Sequence, residues 1–269
     1  MNAKNGKLPI ENTYMDYIVF GSGSKNLIMI PGVGDGLKTV AGTAIPFSIL
    51  YRKLAKEYKV YAFSRRNEMP AGFSTREMAE DLYYAIKQLK IGSAHILGVS
   101  QGGMIAQWLA IDHPETVEKL ILTVTMARQN ETVQKVVGRW MEMAKQGDYK
   151  GIMMDTAEKS YSEKYLKKAR WMYSIISGVT KPKSFERFLI QASSCLTHDA
   201  YEELDRITCP ALVIGGRQDK IVTGKASAEI AERISGCRLH MYEEFGHGAY
   251  EEAKDFVDRV IRFGLEMEI

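Results

Sequence analysis

The sequence predicts an α/β fold: a mostly parallel central sheet with helices on both faces and a helical cap inserted in it. Short apolar runs alternate with longer helical patterns, the form that a sheet covered by crossover helices takes in sequence. Several runs carry no polar alternation, as strands buried on both faces require. The rhythm breaks once, from about Arg128 to Asp199, where helical patterns follow one another with no strand-like run between them.

In chain order, strands are expected at Tyr17–Phe20, Leu27–Ile30, Val60–Ser64, Ala94–Val99, Leu120–Thr125, Ala211–Gly215 and Leu239–Tyr242. Helical patterns between them include Thr75–Leu89, Gly102–Asp112, Thr223–Ile234 and Tyr250–Phe263. The stretch Ile91–Ile111 carries no formal charge over 21 residues, long enough to cross a bilayer. Its Ser93, His95, Gly98, Ser100, Gln101, Gly102, Gly103 and Gln107 argue instead for a buried strand, a sharp turn and a buried helix, so no membrane partner is expected. The break holds four helical patterns, roughly Glu131–Gln146, Asp148–Lys159, Ser162–Ser177 and Pro182–Leu196, with Pro182 suited to a first turn. The expected organisation is a core of residues 1–127 and 200–269 with a cap of residues 128–199.

Composition narrows the function classes. A chain of 269 residues, 45% hydrophobic and 26% charged, is ordinarily globular, which excludes disorder, collagen and coiled coil. A net charge of +3 is too near balance for a protein that coats nucleic acid. Three cysteines (Cys195, Cys209, Cys237) are too few and too odd for a disulfide framework, and Met1–Tyr14 lacks the apolar centre of a secretory signal. A reducing, cytoplasmic setting is expected. No repeat of fixed period is visible.

The chemistry concentrates at Gly98-Val99-Ser100-Gln101-Gly102, followed by Gly103. A Gly-x-Ser-x-Gly match is weak alone, but here an expected strand precedes it and an expected helix follows directly. A serine at such a turn takes strained backbone angles, and small neighbours let the turn close. The helix N-terminus behind it favours a developing oxyanion.

Serine needs a base at neutral pH. His95 and His240 lie inside strands, His113 precedes Pro114 at a helix end, and His198 sits where the cap returns to the sheet; packing or capping accounts for all four. His247 differs, because Phe245-Gly246-His247-Gly248 is a loop after the last strand, where flanking glycines let an imidazole project over the sheet edge. For the acid, Asp219 follows the buried run Ala211–Gly215 and emerges at the same strand end as Ser100 if the sheet is parallel. A loop aspartate capping the helix near Thr223 is the structural alternative. No rival carboxylate follows Leu120–Thr125, where Met126 and Ala127 stand.

The order Ser100, Asp219, His247 resembles the α/β-hydrolase superfamily over nearly the whole chain, from about Tyr14 onward. The run Gly98 to Trp108, the Asp112-His113-Pro114-Glu115-Thr116-Val117 tail of the elbow helix and the Ile207-Thr208-Cys209-Pro210 strand entry are similar to its lactonase, esterase and C–C hydrolase branch. The resemblance implies an oxyanion hole from the backbone N–H groups of Gln101 and of Val33, within Pro31-Gly32-Val33-Gly34. Where the family usually has histidine this chain has Pro31. Where it often has Asp-x-Arg-Gly-x-Gly-x-Ser, this chain runs Ser64-Arg65-Arg66-Asn67 on to Phe73-Ser74, which implies altered pocket walls. No phosphate-binding fingerprint follows the glycines.

The expected activity is two-step acyl transfer from an ester, lactone or similar activated carbonyl, with no cofactor and, for want of a His/Cys cluster with ligand spacing, no metal. Cofactorless haloperoxidase-like and lyase relatives keep the same three residues, and a non-hydrolytic ligand-binding protein on this fold is the rival of another class. An aspartate would stand at the elbow of a haloalkane dehalogenase or epoxide hydrolase. The partner expected is a small-molecule substrate rather than nucleic acid, with monomer or homodimer left open. Trp140, Met141, Met143, Met153, Met154, Trp171, Met172 and Tyr173 are candidates for an apolar, adaptable pocket in the cap, or for helix faces packed on the sheet. The cap holds 13 Lys/Arg against 8 Asp/Glu, an excess of +5 where the remainder carries −2, which suits solvated helix faces or an anionic substrate.

Overall fold

The computed structural model describes residues 2–168 and 180–267. Eight strands form one sheet: β1 (Lys4–Ile10), β2 (Thr13–Phe20), β3 (Lys25–Ile30), β4 (Tyr58–Arg66), β5 (Ala94–Val99), β6 (Val117–Thr123), β7 (Ala211–Gly216) and β8 (Arg238–Tyr242). Their spatial order is β1-β2-β4-β3-β5-β6-β7-β8. The pairs β1–β2 and β2–β4 are antiparallel, and every pair from β4 to β8 is parallel.

Seven of these strands lie where the apolar runs place them, and β1 is the addition. Gly6 and Pro9 interrupt its sequence, but an edge strand tolerates a proline because its missing N–H takes nothing from a central ladder. The alternation of side chains along the parallel strands builds two cores. On one face Ile28, Ile96, Leu120, Leu122 and Val213 meet the helices Thr75–Gln88 and Gln101–Asp112. On the other, Leu27, Leu97, Ile121, Leu212 and Ile214 meet Phe256 and Val260 of the helix Phe256–Gly264. The helix Thr75–Gln88 starts with a full capping box, Ser74 and Glu77 each satisfying the other's backbone N–H. Among the described residues no helix is long and apolar enough to cross a membrane.

Some boundaries differ from expectation. The expected helix Tyr250–Phe263 divides into Ala249–Glu252 and Phe256–Gly264, because Ala253 takes an extended conformation. The helix expected from Pro182 starts instead at Glu186, whose N–H donates to Ser184 Oγ at 3.1 Å. Short helices at Ala44–Leu50, which contains Pro46, and Arg52–Glu57 were not expected.

Between β6 and β7 lie the helices Glu131–Lys145, Tyr149–Ser160 and Glu186–Thr197. Residues 163–168 are helical, and the rest of the expected helix Ser162–Ser177 lies outside the described residues. This excursion leaves and returns at one place, where Arg128 and Asp199 form an antiparallel bridge and the Ala200 N–H donates to the Ala127 carbonyl at 2.7 Å. It is joined to the sheet layer by a third core in which Val137, Trp140, Ile152 and Phe188 meet Met104, Ile221 and Val222.

Candidate active site

Ser100 sits between β5 and the helix Gln101–Asp112 with φ 55° and ψ −120°, angles that a residue with a Cβ adopts only when the surroundings impose them. They do so here through close contacts. A Cβ on Gly98 would meet the Gly102 carbonyl oxygen at 2.5 Å, one on Gly102 the Ile30 carbonyl oxygen at 2.0 Å, and one on Gly103 the Thr125 side chain at 2.6 Å. The Ser100 N–H donates to Thr123 O at 2.9 Å, and Thr125 Oγ1 donates to Ser100 O at 2.7 Å. The serine hydroxyl is thereby raised over the ends of the parallel strands.

The loops after β7 and β8 bring the other two side chains to it. They are joined by Arg217 N–H to Tyr242 O at 2.9 Å and Gln218 N–H to Phe245 O at 3.0 Å. His247 Nε2 lies 3.0 Å from Ser100 Oγ, and His247 Nδ1 lies 2.7 Å from Asp219 Oδ2. The other carboxylate oxygen of Asp219 accepts from the N–H groups of Ile221 and Val222 at 2.8 and 2.9 Å. Asp219 thus braces its own loop, short of the helix Gly224–Arg233 that it does not cap, and stands in hydrogen-bond range of the imidazole. His247 and Asp219 are each 8% exposed, so water competes little for these bonds.

Val33 and Gln101 are each the first residue of a helix, Val33–Gly36 and Gln101–Asp112. The N–H at such a position has no acceptor within its own helix. Gly32 runs close against the serine, since a Cβ there would lie 3.3 Å from Ser100 Cβ. A cavity of about 310 Å³ opens beside Ser100 and His247, with Val33, Trp140, Met153, Phe188, Ile221 and Tyr250 in its wall. Trp140 is fixed by its Nε1–H, which donates to Asp155 Oδ2 at 2.7 Å. A more open recess of about 680 Å³ shares Ser160 and Tyr161 with it.

A family model described as alpha/beta hydrolase fold matches residues 25–254. This chain belongs to the alpha/beta hydrolase fold family. Its relatives include serine hydrolase BPHL of Mus musculus, 23% identical, with 97% of this chain and 86% of that protein covered. The 3-oxoadipate enol-lactonase 2 of Acinetobacter baylyi is 24% identical over 88% of this chain and 87% of its own length. Among solved structures, an alpha/beta hydrolase enzyme from a Medee basin deep-sea metagenome library superposes with a TM-score of 0.86 at 19% identity, covering 98% of each chain.

Within this alpha/beta hydrolase the remaining expected residues divide. Trp140 and Met153 line the cavity. Met141 and Met143 do not, and pack partly buried against the core between cap and sheet. Met154 also stands outside the cavity wall, and Trp171, Met172 and Tyr173 lie outside the described residues. The other histidines are held elsewhere. His95 is fully buried with Nε2 3.3 Å from Glu118, His113 stacks on Tyr83 with its Nε2 2.7 Å from Glu80, and His240 packs edge-on against Tyr242. His198 is buried with Nδ1 2.9 Å from Thr75 Oγ1.

A second set of residues near the serine was not expected. Asp35, Arg65, Gln101 and Gln191 are buried together, with Arg187 closing the group from the helix Glu186–Thr197. The Ser64-Arg65-Arg66 residues do not themselves line the cavity; Arg65 contacts Pro31, Gly32 and Asp35, which do. Arg66 pairs with Asp81, and Arg65 turns behind the loop that carries Val33. Their signal in the sequence was two arginines closing an apolar strand, since arginine is seldom fully buried without a partner. Arg187 shows that the cap's positive charge is not all solvated.

Proposed function

We propose that this protein is a serine hydrolase acting on an ester, lactone or similar activated carbonyl through an acyl-enzyme. One observation carries the reading: Ser100 Oγ, His247 and Asp219 stand in a single hydrogen-bonded line, with distances of 3.0 and 2.7 Å. The names of its relatives, a serine hydrolase and an enol-lactonase among them, support it.

In the first step Asp219 accepts the Nδ1–H of His247, which leaves Nε2 free to take the Ser100 proton as Oγ attacks the carbonyl carbon. The N–H groups of Val33 and Gln101 cradle the oxyanion. Collapse of the tetrahedral species expels the leaving group, protonated by His247, and leaves the acyl group on Ser100. Water, deprotonated by His247, then attacks the acyl-enzyme and releases the acid. Strained angles at Ser100 keep Oγ aimed at the substrate instead of into the helix, and the enclosing apolar wall strengthens each charge interaction. At about 310 Å³ the cavity is near the small end of ligand pockets, which favours compact apolar acyl groups or small rings.

The test is covalent labelling with a fluorophosphonate followed by mass spectrometry. Modification should fall on Ser100 and vanish in Ser100→Ala together with hydrolysis of a nitrophenyl ester. Labelling or turnover that survives in that variant overturns the proposal.

A further inference from the structure

The buried charged group behind the serine has no part in the steps above, yet its contacts are specific. Arg65 closes β4 with its side chain 3% exposed, a placement that a guanidinium tolerates only with partners. Its Nη2 donates to the carbonyl oxygen of Pro31, to that of Gly32 at 3.5 Å and to Gln101 Oε1 at 2.9 Å. Pro31 and Gly32 lead directly into Val33, and Gln101 directly follows Ser100. One nitrogen therefore joins the two segments whose amides face the developing oxyanion. Proline has no N–H and no polar side chain, so the Pro31 carbonyl is the handle by which this loop can be held.

Both segments are fixed from the far side as well. Gln101 Nε2 donates to Gln191 O at 2.6 Å and to Ser194 Oγ at 3.0 Å. Asp35 accepts from the Arg65 N–H at 3.1 Å, from Arg187 Nη2 at 2.6 Å and from Gln191 Nε2 at 3.3 Å. Burial alone would raise the Asp35 carboxyl, but Arg187, Arg65, Ser64 and the Arg65 N–H outweigh it and hold it below the usual range. Burial likewise pushes Arg65 down to about 10, against the pull of Asp35, which leaves it charged at neutral pH.

We propose that Arg65 is a positioning residue for the oxyanion hole, its planar guanidinium setting the Val33 and Gln101 amides at one fixed separation. The inference rests on the serine-hydrolase reading. Donors on two different elements are worth most when their spacing is fixed before charge develops, because no energy then goes into reorganising them. A lysine would retain the charge, but on a flexible stem instead of a planar group that holds Nη2 at one place.

The experiment compares wild type, Arg65→Lys, Gln101→Met and Ser100→Ala in nitrophenyl acetate hydrolysis and in binding of an alkyl boronic acid, which forms a tetrahedral adduct on the serine. Arg65→Lys should lower kcat by about 100-fold with KM changed less than about twofold, and weaken the boronate by a similar factor. Gln101→Met, which keeps its backbone N–H but loses the anchor to Arg65, should lower both in the same direction. An Arg65→Lys protein with wild-type kcat and boronate affinity overturns the proposal, and so does a loss of kcat with boronate affinity unchanged. If Arg65→Lys does not fold, Gln101→Met decides, and unchanged kcat and boronate affinity in it overturn the role. Activity surviving in Ser100→Ala would instead overturn the serine-hydrolase reading itself, an outcome distinct from an inactive Ser100→Ala beside a fully active Arg65→Lys.

Discussion

Gly216 and Gly246 are in backbone contact: a Cβ on Gly216 would lie 2.2 Å from the Gly246 carbonyl oxygen. That contact lets the loops after β7 and β8 close on each other and bring Asp219 to His247 across 28 residues of sequence. Gly216→Ala must push two main chains apart, not a flexible side-chain end. The expected result is a loss of about 1–3 kcal/mol in stability, read by denaturant melts, and a fall in kcat of at least about tenfold as the imidazole loses its alignment. A variant with wild-type kcat would show that the contact is incidental.

Asp219→Asn separates the two tasks of that carboxylate. The amide oxygen can still accept from Ile221 and Val222, now at 2.8 and 2.9 Å, so the loop should hold and the melting temperature should change little. Its NH₂ group would then face Nδ1 and force the imidazole proton onto Nε2, where a base is needed. By analogy with serine hydrolases generally, kcat should fall about 10⁴-fold. A loss of stability as large as the loss of activity would contradict this division.

Much of this was legible in the sequence because burial writes itself as composition. Parallel strands covered on both faces are uninterrupted apolar runs, and Gly98, Gly102 and Gly103 each mark a close approach, of backbone at the first two and of the Thr125 side chain at the third, that admits no Cβ. What escaped was of two kinds. β1 is an edge strand, so Gly6 and Pro9 cost it little and hide it well. The Asp35–Arg65–Arg187–Gln191 group is assembled from residues as far as 156 apart, and apart from Arg65 at the end of an apolar strand each is indistinguishable from a surface polar residue until the fold closes over it. Met141 illustrates a finer limit: it follows Trp140 on a helix, about 100° further round, and packs against the core between cap and sheet while Trp140 faces the cavity.

Met153 is a wall residue whose truncation should cost little, since it is only half-buried while Trp140 and Phe188 are buried. Met153→Ala should extend the cavity and shift selectivity toward longer acyl chains. Each additional buried methylene is worth about 0.8 kcal/mol, a roughly fourfold gain in kcat/KM. Rates on acetate, butyrate and hexanoate esters check it, and an unchanged ratio would place the acyl group elsewhere.

Acid should destabilise the fold partly through His198. Burial pushes this imidazole from 6.5 down to about 3, with only the Met126 carbonyl opposing it. Between those values the unfolded chain takes up a proton that the folded chain refuses, so stability is full above about pH 6.5 and declines as pH falls, by at most about 1.4 kcal/mol per unit. Burial also lowers His95, which adds to the same trend. In His198→Gln the melting temperature should depend less steeply on pH below about 6 than in wild type; equal slopes would exclude His198 as a contributor.

Because the helical excursion begins and ends at the Arg128–Asp199 bridge, it is attached like a handle with both feet on one spot. Ser100, Asp219 and His247 belong to the other part of the chain, yet the excursion touches their surroundings: the Gly248 N–H, beside His247, donates to Ser160 O at 2.7 Å. Within the handle, Ser194 and Gln191 accept from the Gln101 side chain, and Gln191 and Arg187 both donate to Asp35 beneath the Val33 loop. A foreign excursion that omits these partners would leave the buried Asp35 carboxylate without Arg187 and the Gln101 amide without its acceptors, so swaps of selectivity should succeed only when the donor segment brings equivalents.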